Sequence, residues 1–322
     1  MSQARYPRTM HRFWLGLVGL VVACGGAAVD GDDDVGGGPG RVSSGGSSGS
    51  SGGSDTSSSG SSGTGGSSGT GSSGTGGSSG TSGSSVTSGG SSGSAPPGGN
   101  LSVGDDTWSF NAAGQSRTVR VHVPAAITER KLPVVIALHG NGDTAANFEA
   151  TSGLRGEADS RGFVLLTPQG IQRSVEVPNV GTAGSVPWDS FNRYNNNWDL
   201  QMLTELRERV QATESVQNAR IVVYGFSQGG YMAYRTAKEL SNDFLCSAVL
   251  AASDPKGVPV AFARKIPIAI QIGTEDFAID AARETDAELA NHPHSYEEIA
   301  GLGHALAPPP KRFEPLTYCL SQ

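Results

Sequence analysis

Cysteine is scarce: the 322 residues hold only Cys24, Cys246 and Cys319. No C-x-x-C pair and no H-E-x-x-H run occurs, so zinc chemistry has no support in the sequence, and neither metal nor cofactor is expected. Basic clusters are missing too. Residues 101–322 carry 19 lysines and arginines against 25 aspartates and glutamates, net −6, and cations adjoin only in pairs, at Arg130-Lys131, Arg264-Lys265 and Lys311-Arg312. Neutralising a phosphate backbone takes several focused cations, which argues against a nucleic-acid partner. The apolar stretch at residues 13–23 is eleven residues long, whereas a membrane-spanning helix needs about 20. Between residues 42 and 94 apolar side chains almost vanish, and 30 of the 47 glycines fall in the first hundred positions. Such a segment cannot bury enough surface to offset its ordering entropy. Folded structure is therefore expected only in residues 101–322, enough for one core.

Residues 1–24 read as an address. Arg5, Arg8, His11 and Arg12 make a basic start without acids, and the short apolar stretch follows as the h-region of a signal peptide would. It ends in Val21-Val22-Ala23-Cys24-Gly25, which resembles the bacterial lipobox. That resemblance implies lipidation of Cys24, membrane attachment through it, and an outer-membrane or cell-surface location. A plain cleaved signal and secretion is the alternative. Residues 25–100 are expected to be a Gly/Ser/Thr-rich linker. A flexible coil of about 65 residues averages roughly 45 Å end to end, long enough to tether a domain that still searches its surroundings.

Strands and helices alternate through the rest. Residues 118–123 ("TVRVHV") alternate as a half-buried strand, while 134–138 ("VVIAL"), 163–166 ("FVLL") and 221–224 ("IVVY") are short continuous apolar runs, and 248–251 and 266–272 read as two more buried strands. Residues 199–210 space Leu200, Leu203, Leu206 and Val210 as one face of a helix, with Asp199 as a charge favoured by its N-terminus. This pattern predicts an α/β fold, a mostly parallel sheet with helices on both faces.

The chemistry is expected at strand ends. Gly225-Phe226-Ser227-Gln228-Gly229 is G-x-S-x-G between a buried strand and a helix, the setting of a nucleophilic serine on a sharp turn. Serine needs a base oriented by an acid. After the 266–272 strand comes Asp276, with Glu275 and Asp280 as competitors; after residues 295–299 comes His304 on a glycine-flanked turn. The order Ser227, Asp276, His304 suits the fold. His122 is expected to face solvent, His139 to be structural, and His292 and His294 to be solvated. Backbone N–H groups of Gln228 and Asn141, the latter in "HGNGD", are candidates for an oxyanion hole. Trp188 and Trp198, in "WDSFNRYNNNW", either line a substrate pocket or pack at a helix start.

The segments "PVVIALHGNG", "ADSRGFVLLTPQG", "GFSQGGYMAY", "IGTED" and "GLGH" resemble α/β-hydrolase esterases of the polyhydroxybutyrate-depolymerase and feruloyl-esterase type. The resemblance spans about residues 117–304. It implies a serine carboxylic-ester hydrolase with catalytic Ser227, Asp276 and His304 and an oxyanion hole at Asn141 and Gln228; a monomer acting on a small or polymeric ester is expected. "GFSQGG" and "HGxGD" are closer to carboxylesterases and acyl-thioesterases, which leaves the substrate open. A serine peptidase on the same fold and a non-catalytic surface module are the rival readings. Cys246 and Cys319 remain as an even pair that either closes a disulfide or stays reduced.

Overall fold

The computed structural model describes residues 92–93, 99–177, 181–255 and 260–322. The expected signal segment, the lipidation site Cys24 and nearly all of the linker lie outside the described residues.

Eleven strands are described: β1 (Ser92–Gly93), β2 (Gly104–Ala112), β3 (Gln115–Val123), β4 (Leu132–Leu138), β5 (Val164–Pro168), β6 (Arg173–Val177), β7 (Gly181–Val186), β8 (Val216–Phe226), β9 (Cys246–Leu250), β10 (Ile268–Gly273) and β11 (His294–Ile299). Six α-helices accompany them: α1 (Ala145–Ser152), α2 (Leu154–Arg161), α3 (Trp198–Gln211), α4 (Gln228–Glu239), α5 (Ile279–Glu288) and α6 (Glu314–Leu320). Nine strands form one sheet in the order β1-β2-β3-β5-β4-β8-β9-β10-β11, and β6 and β7 form a separate antiparallel pair. From β5 through β11 every pairing in the large sheet is parallel, whereas β3 runs antiparallel to both β2 and β5. This is the α/β-hydrolase arrangement.

The continuous apolar runs exist because the central strands are buried on both sides. Successive side chains point to opposite faces. Val134, Ile136 and Leu138 of β4 join Ile221 and Val223 of β8 in one core, with Leu203 and Leu206 of α3 and Met232 of α4. Val135 and Ala137 join Val222 and Tyr224 in the other, with Phe148 of α1, Ala158 of α2 and Leu316 of α6. Full burial of each such Val, Leu or Ile contributes about 1.5–3 kcal/mol. Helix α3 starts one residue before the predicted position because Asn197 caps it, its side chain accepting from the N–H groups of Asp199 and Leu200 at 3.0 Å each.

Cys246 at the start of β9 and Cys319 in α6 form a disulfide, and both are fully buried. It ties the last helix to the sheet. Three histidines depart from expectation. His122 is 5% exposed and lies between Asp105 Oδ1 (2.7 Å from Nδ1) and Asp159 Oδ1 (2.8 Å from Nε2). His292 is buried with Nε2 2.5 Å from the Ile266 carbonyl, and His294 is half-buried with Nε2 3.0 Å from Asp286. Their carboxylate and carbonyl partners Asp105, Asp159, Ile266 and Asp286 are distant in sequence, so the local sequence does not show them.

Asp199 also departs. It is fully buried, 2.9 Å from Arg117 Nη1 and 2.5 Å from Arg173 Nη2, and its Oδ2 accepts the Asp189 N–H at 2.7 Å. A shared anion between two guanidinium groups is a larger role than a helix-terminal charge.

Candidate active site

Four loops meet where parallel strands end: residues 139–142 after β4, 227–228 after β8, 274–276 after β10 and 300–304 after β11. Open parallel sheets place ligands at the carboxyl ends of their strands.

Ser227 takes φ 55° and ψ −120°, a left-handed backbone that a side-chain-bearing residue rarely adopts. Such a residue stores about 1–3 kcal/mol of strain that the surrounding structure must hold. Two contacts hold it: the Ser227 N–H donates to the Leu250 carbonyl at 2.9 Å, and the Tyr231 N–H donates to the Ser227 carbonyl at 3.0 Å. The flanking glycines permit the turn. A Cβ on Gly225 would stand 2.0 Å from the Gly229 carbonyl oxygen, and one on Gly229 would stand 2.2 Å from that of Leu138. The G-x-S-x-G pattern is thus a record of close backbone approach at the crossing of β8, α4 and β4.

Ser227 Oγ lies 2.8 Å from His304 Nε2, and His304 Nδ1 lies 2.8 Å from Asp276 Oδ2. With Nδ1–H donating to the carboxylate, Nε2 is free to accept the serine proton. Asp276 is 2% exposed, and its Oδ1 accepts the Ala278 N–H at 2.9 Å, so the carboxylate is fixed at both oxygens. Its competitors do not enter the cluster: Glu275 is exposed, and Asp280 is exposed and faces Arg283 at 3.7 Å. The acid and histidine loops are also bonded to each other. Glu275 N–H donates to the Leu302 carbonyl at 2.9 Å, and Gly301 N–H to Thr274 Oγ1 at 2.9 Å.

The 139–142 loop flanks the serine, since a Cβ on Gly140 would sit 3.4 Å from Ser227 Cβ. Asn141 follows directly. Gln228 is the first residue of α4, and the opening N–H groups of a helix have no partner within it. His139 is fully buried; its Nδ1 lies 2.8 Å from the Gly140 carbonyl, and its Nε2 accepts the Gly170 N–H at 3.0 Å. Burial pushes its pKa below the usual histidine value, so it is held neutral. Tyr231, one turn into α4, has its phenol pushed upward by burial and by the charge on Asp276.

Of the two readings open for Trp188, packing and pocket lining, the structure shows packing. Its side chain is fully buried, with Nε1 donating to the His139 carbonyl at 2.7 Å, and a ring enclosed by protein offers no surface to a substrate. Trp198 is 38% exposed on the first turn of α3, with the Arg173 guanidinium 5.0 Å from its ring centroid. Sequence reasoning missed two aromatics beside His304. Phe277 lies 4.4 Å and Phe226 5.6 Å, centroid to centroid, from the His304 ring, and Phe277 is 42% exposed. The sequence cue was present: each directly adjoins a residue of the cluster. Among the described residues no group of three or more His, Cys, Asp or Glu is placed to hold a metal ion.

A family profile described as "Putative esterase" matches residues 110–297. A bifunctional acetylxylan esterase/xylanase of Neocallimastix patriciarum is 24% identical over 163 residues, covering 51% of this chain and 22% of that protein. The "Putative esterase NocK" of Nocardia uniformis subsp. tsuyamanensis is 29% identical over 146 residues, covering 44% of this chain and 40% of that protein. The chain thus matches between about a fifth and two fifths of the length of these curated relatives. The apoenzyme of an S-formylglutathione hydrolase from Staphylococcus aureus superposes with a TM-score of 0.50 at 13% identity, covering 62% of this chain and 92% of that one, a likeness of fold alone. With the profile spanning more than half of its residues around the Ser227 turn, the chain belongs to this esterase family, on an α/β-hydrolase fold.

Proposed function

We propose that the protein hydrolyses carboxylic esters through a covalent acyl-enzyme on Ser227. The observation that carries the reading is the hydrogen-bonded line Ser227–His304–Asp276 on a strained strand–helix turn. Ser227 Oγ attacks the ester carbonyl carbon while its proton passes to His304 Nε2. Asp276 keeps the imidazole in the Nδ1–H form and stabilises the imidazolium. The tetrahedral oxyanion is received by the N–H groups of Asn141 and Gln228. Collapse breaks the bond to the leaving oxygen, which takes the proton from His304 Nε2 and departs as an alcohol. Water, deprotonated by His304, then attacks the acyl carbon, and a second collapse returns the proton to Ser227 and frees the acid.

For the substrate we favour acetyl, feruloyl or hydroxyalkanoate esters, small or borne on a polymer. The half-exposed ring of Phe277 offers an apolar wall at the base, and Trp198 offers a second exposed aromatic face. Acetyl esters are also the substrate class that the name of the Neocallimastix patriciarum relative gives for that protein. We further propose that the protein works outside the cytoplasm, tethered through lipidated Cys24. The Cys246–Cys319 disulfide supports an oxidising compartment. Palmitate labelling that survives Cys24→Ala would remove the tether.

The test is turnover of p-nitrophenyl acetate, butyrate and octanoate, feruloyl esters and an acyl thioester by the protein and by Ser227→Ala and Asp276→Asn. We expect Ser227→Ala to be inactive and Asp276→Asn to lose about 10⁴-fold in kcat by tautomer disruption. Folded protein that turns over none of these and takes up no fluorophosphonate at Ser227 would overturn the reading.

A further inference from the structure

Trp188 and the side-chain amide of Gln228 have no part in the chemical steps, yet both are buried beside the oxyanion loops. Gln228 Nε2 donates to the Trp188 carbonyl at 3.0 Å and to Ser190 Oγ at 3.1 Å. Trp188 Nε1 donates in turn to the His139 carbonyl at 2.7 Å, and the two rings lie 5.0 Å apart at 54°. His139 leads directly into Gly140 and Asn141, and its own Nδ1 meets the Gly140 carbonyl at 2.8 Å. A continuous line of buried hydrogen bonds therefore starts at the residue carrying one candidate oxyanion donor. It ends two residues before the other.

We infer that Trp188 and the Gln228 amide are positioning residues that set the separation of the Gln228 and Asn141 N–H groups. This rests on the esterase reading of the site. The two donors follow different strands: Gln228 opens α4 after β8, and Asn141 lies in the loop after β4. An oxyanion hole works only if its donors already stand about 2.7–3.1 Å from where the charge will develop. Loops are the mobile parts of a fold, so a buried bridge from α4 to the 139–142 loop removes reorganisation from the reaction step. The bridge needs both donors of a primary amide, one for each acceptor, together with an indole N–H. Because it sets groups used in the transition state, its loss should appear in kcat and leave substrate binding nearly intact.

The test uses Trp188→Phe, which keeps a ring and removes the donor, and Gln228→Met, which keeps side-chain length and the backbone N–H but removes the amide. For each, kcat and KM on p-nitrophenyl acetate, inhibition by a trifluoromethyl ketone that forms a tetrahedral adduct, and the pH–rate profile are measured well below the melting midpoint. We expect kcat to fall about 10- to 100-fold, as misplacement by a fraction of an ångström to one ångström does. The ketone should weaken by a similar factor, with KM within about threefold. The double variant should lose less than the product of the single losses, because both act through one bridge. Should Trp188→Phe fail to fold, Gln228→Met at the other end of the bridge decides alone. Wild-type kcat and ketone affinity in a folded variant, or a loss confined to KM, would overturn the inference and leave the esterase reading standing. Wild-type protein without turnover or fluorophosphonate labelling would remove both.

Discussion

Replacing Asp199 by alanine decides between two accounts of that residue by magnitude. A carboxylate in the first turn of a helix contributes about 0.3–1 kcal/mol, and salt screens it. In the structure Asp199 is fully buried between Arg117, itself 1% exposed, and Arg173. Burial pushes the Arg117 guanidinium pKa down and Asp199 pulls it up, so without the carboxylate a buried cation stands uncompensated. Breaking such a pair costs about 3–5 kcal/mol. For a domain of this size each kcal/mol moves the melting midpoint by about 2–4 °C, so Asp199→Ala should lower it by roughly 6–20 °C. Urea unfolding gives the free energy directly, and repeating it in concentrated salt separates the accounts. At 1 M the Debye length is about 3 Å, which erases an exposed dipole term but hardly touches a buried pair. Removing Arg117 as well, as Arg117→Met with Asp199→Leu, should recover much of the loss. A loss below about 1 kcal/mol, or one that vanishes in salt, would refute the buried-pair account.

Three more outcomes are expected. Cys246 and Cys319 are 73 residues apart, and a cross-link over such a loop stabilises by about 4 kcal/mol in the chain-entropy model. The double Cys→Ser variant should melt roughly 8–16 °C lower yet keep its kcat in the cold, since neither sulfur touches the site; an unchanged midpoint would refute this. Ser227→Gly should be inactive but more stable than Ser227→Ala by about 1–3 kcal/mol in urea, because glycine relieves the strained backbone. The buried His139 and His292 have folded pKa values held below the usual 6.5, chiefly by desolvation. Below that pH the unfolded chain binds protons that the folded chain refuses, so stability is present above 6.5 and falls as pH drops through it, by up to about 1.4 kcal/mol per pH unit for each proton. Urea titrations between pH 5 and 8 that show no slope until the carboxylate range would exclude this linkage.

The central parallel strands were legible because burial on both faces leaves almost no polar position, as in "VVIAL". Strand β2, "GDDTWSFNA", was not legible: it is paired near the sheet edge, and its outward positions carry aspartates and polar residues. The β6–β7 pair was missed because "RSVEV" and "GTAGSV" hold too few apolar residues in sequence to read as a run. At the site, motif and strand order sufficed to bring Ser227, Asp276 and His304 together. Pairings distant in sequence stayed hidden. Nothing near Asp199 announces Arg117, 82 positions earlier, and nothing near Trp188 announces the carbonyl of His139.

The strand order poses a geometric problem that one glycine solves. Ser227 follows β8, Asp276 follows β10 and His304 follows β11, so β9 stands between the strands that lead to the serine and the aspartate, and the histidine starts from still farther out. Neighbouring strands lie about 4.8 Å apart, which puts β8 and β11 roughly 14 Å apart across the sheet. A histidine side chain alone cannot reach across that span. The loop after β11 must fold back over the turn that ends β10, and the contact is tight: a Cβ on Gly273 would stand 1.9 Å from the Leu302 carbonyl oxygen and 2.7 Å from that of Gly303. Gly273→Ala should therefore lift the residues carrying His304 away from Ser227 while leaving the Ser227 turn intact. Against p-nitrophenyl acetate we expect kcat to fall about 100-fold, the scale of an ångström of misplacement, with KM little changed. Wild-type kcat in folded Gly273→Ala protein would mean that the histidine loop does not depend on this crossing for its reach.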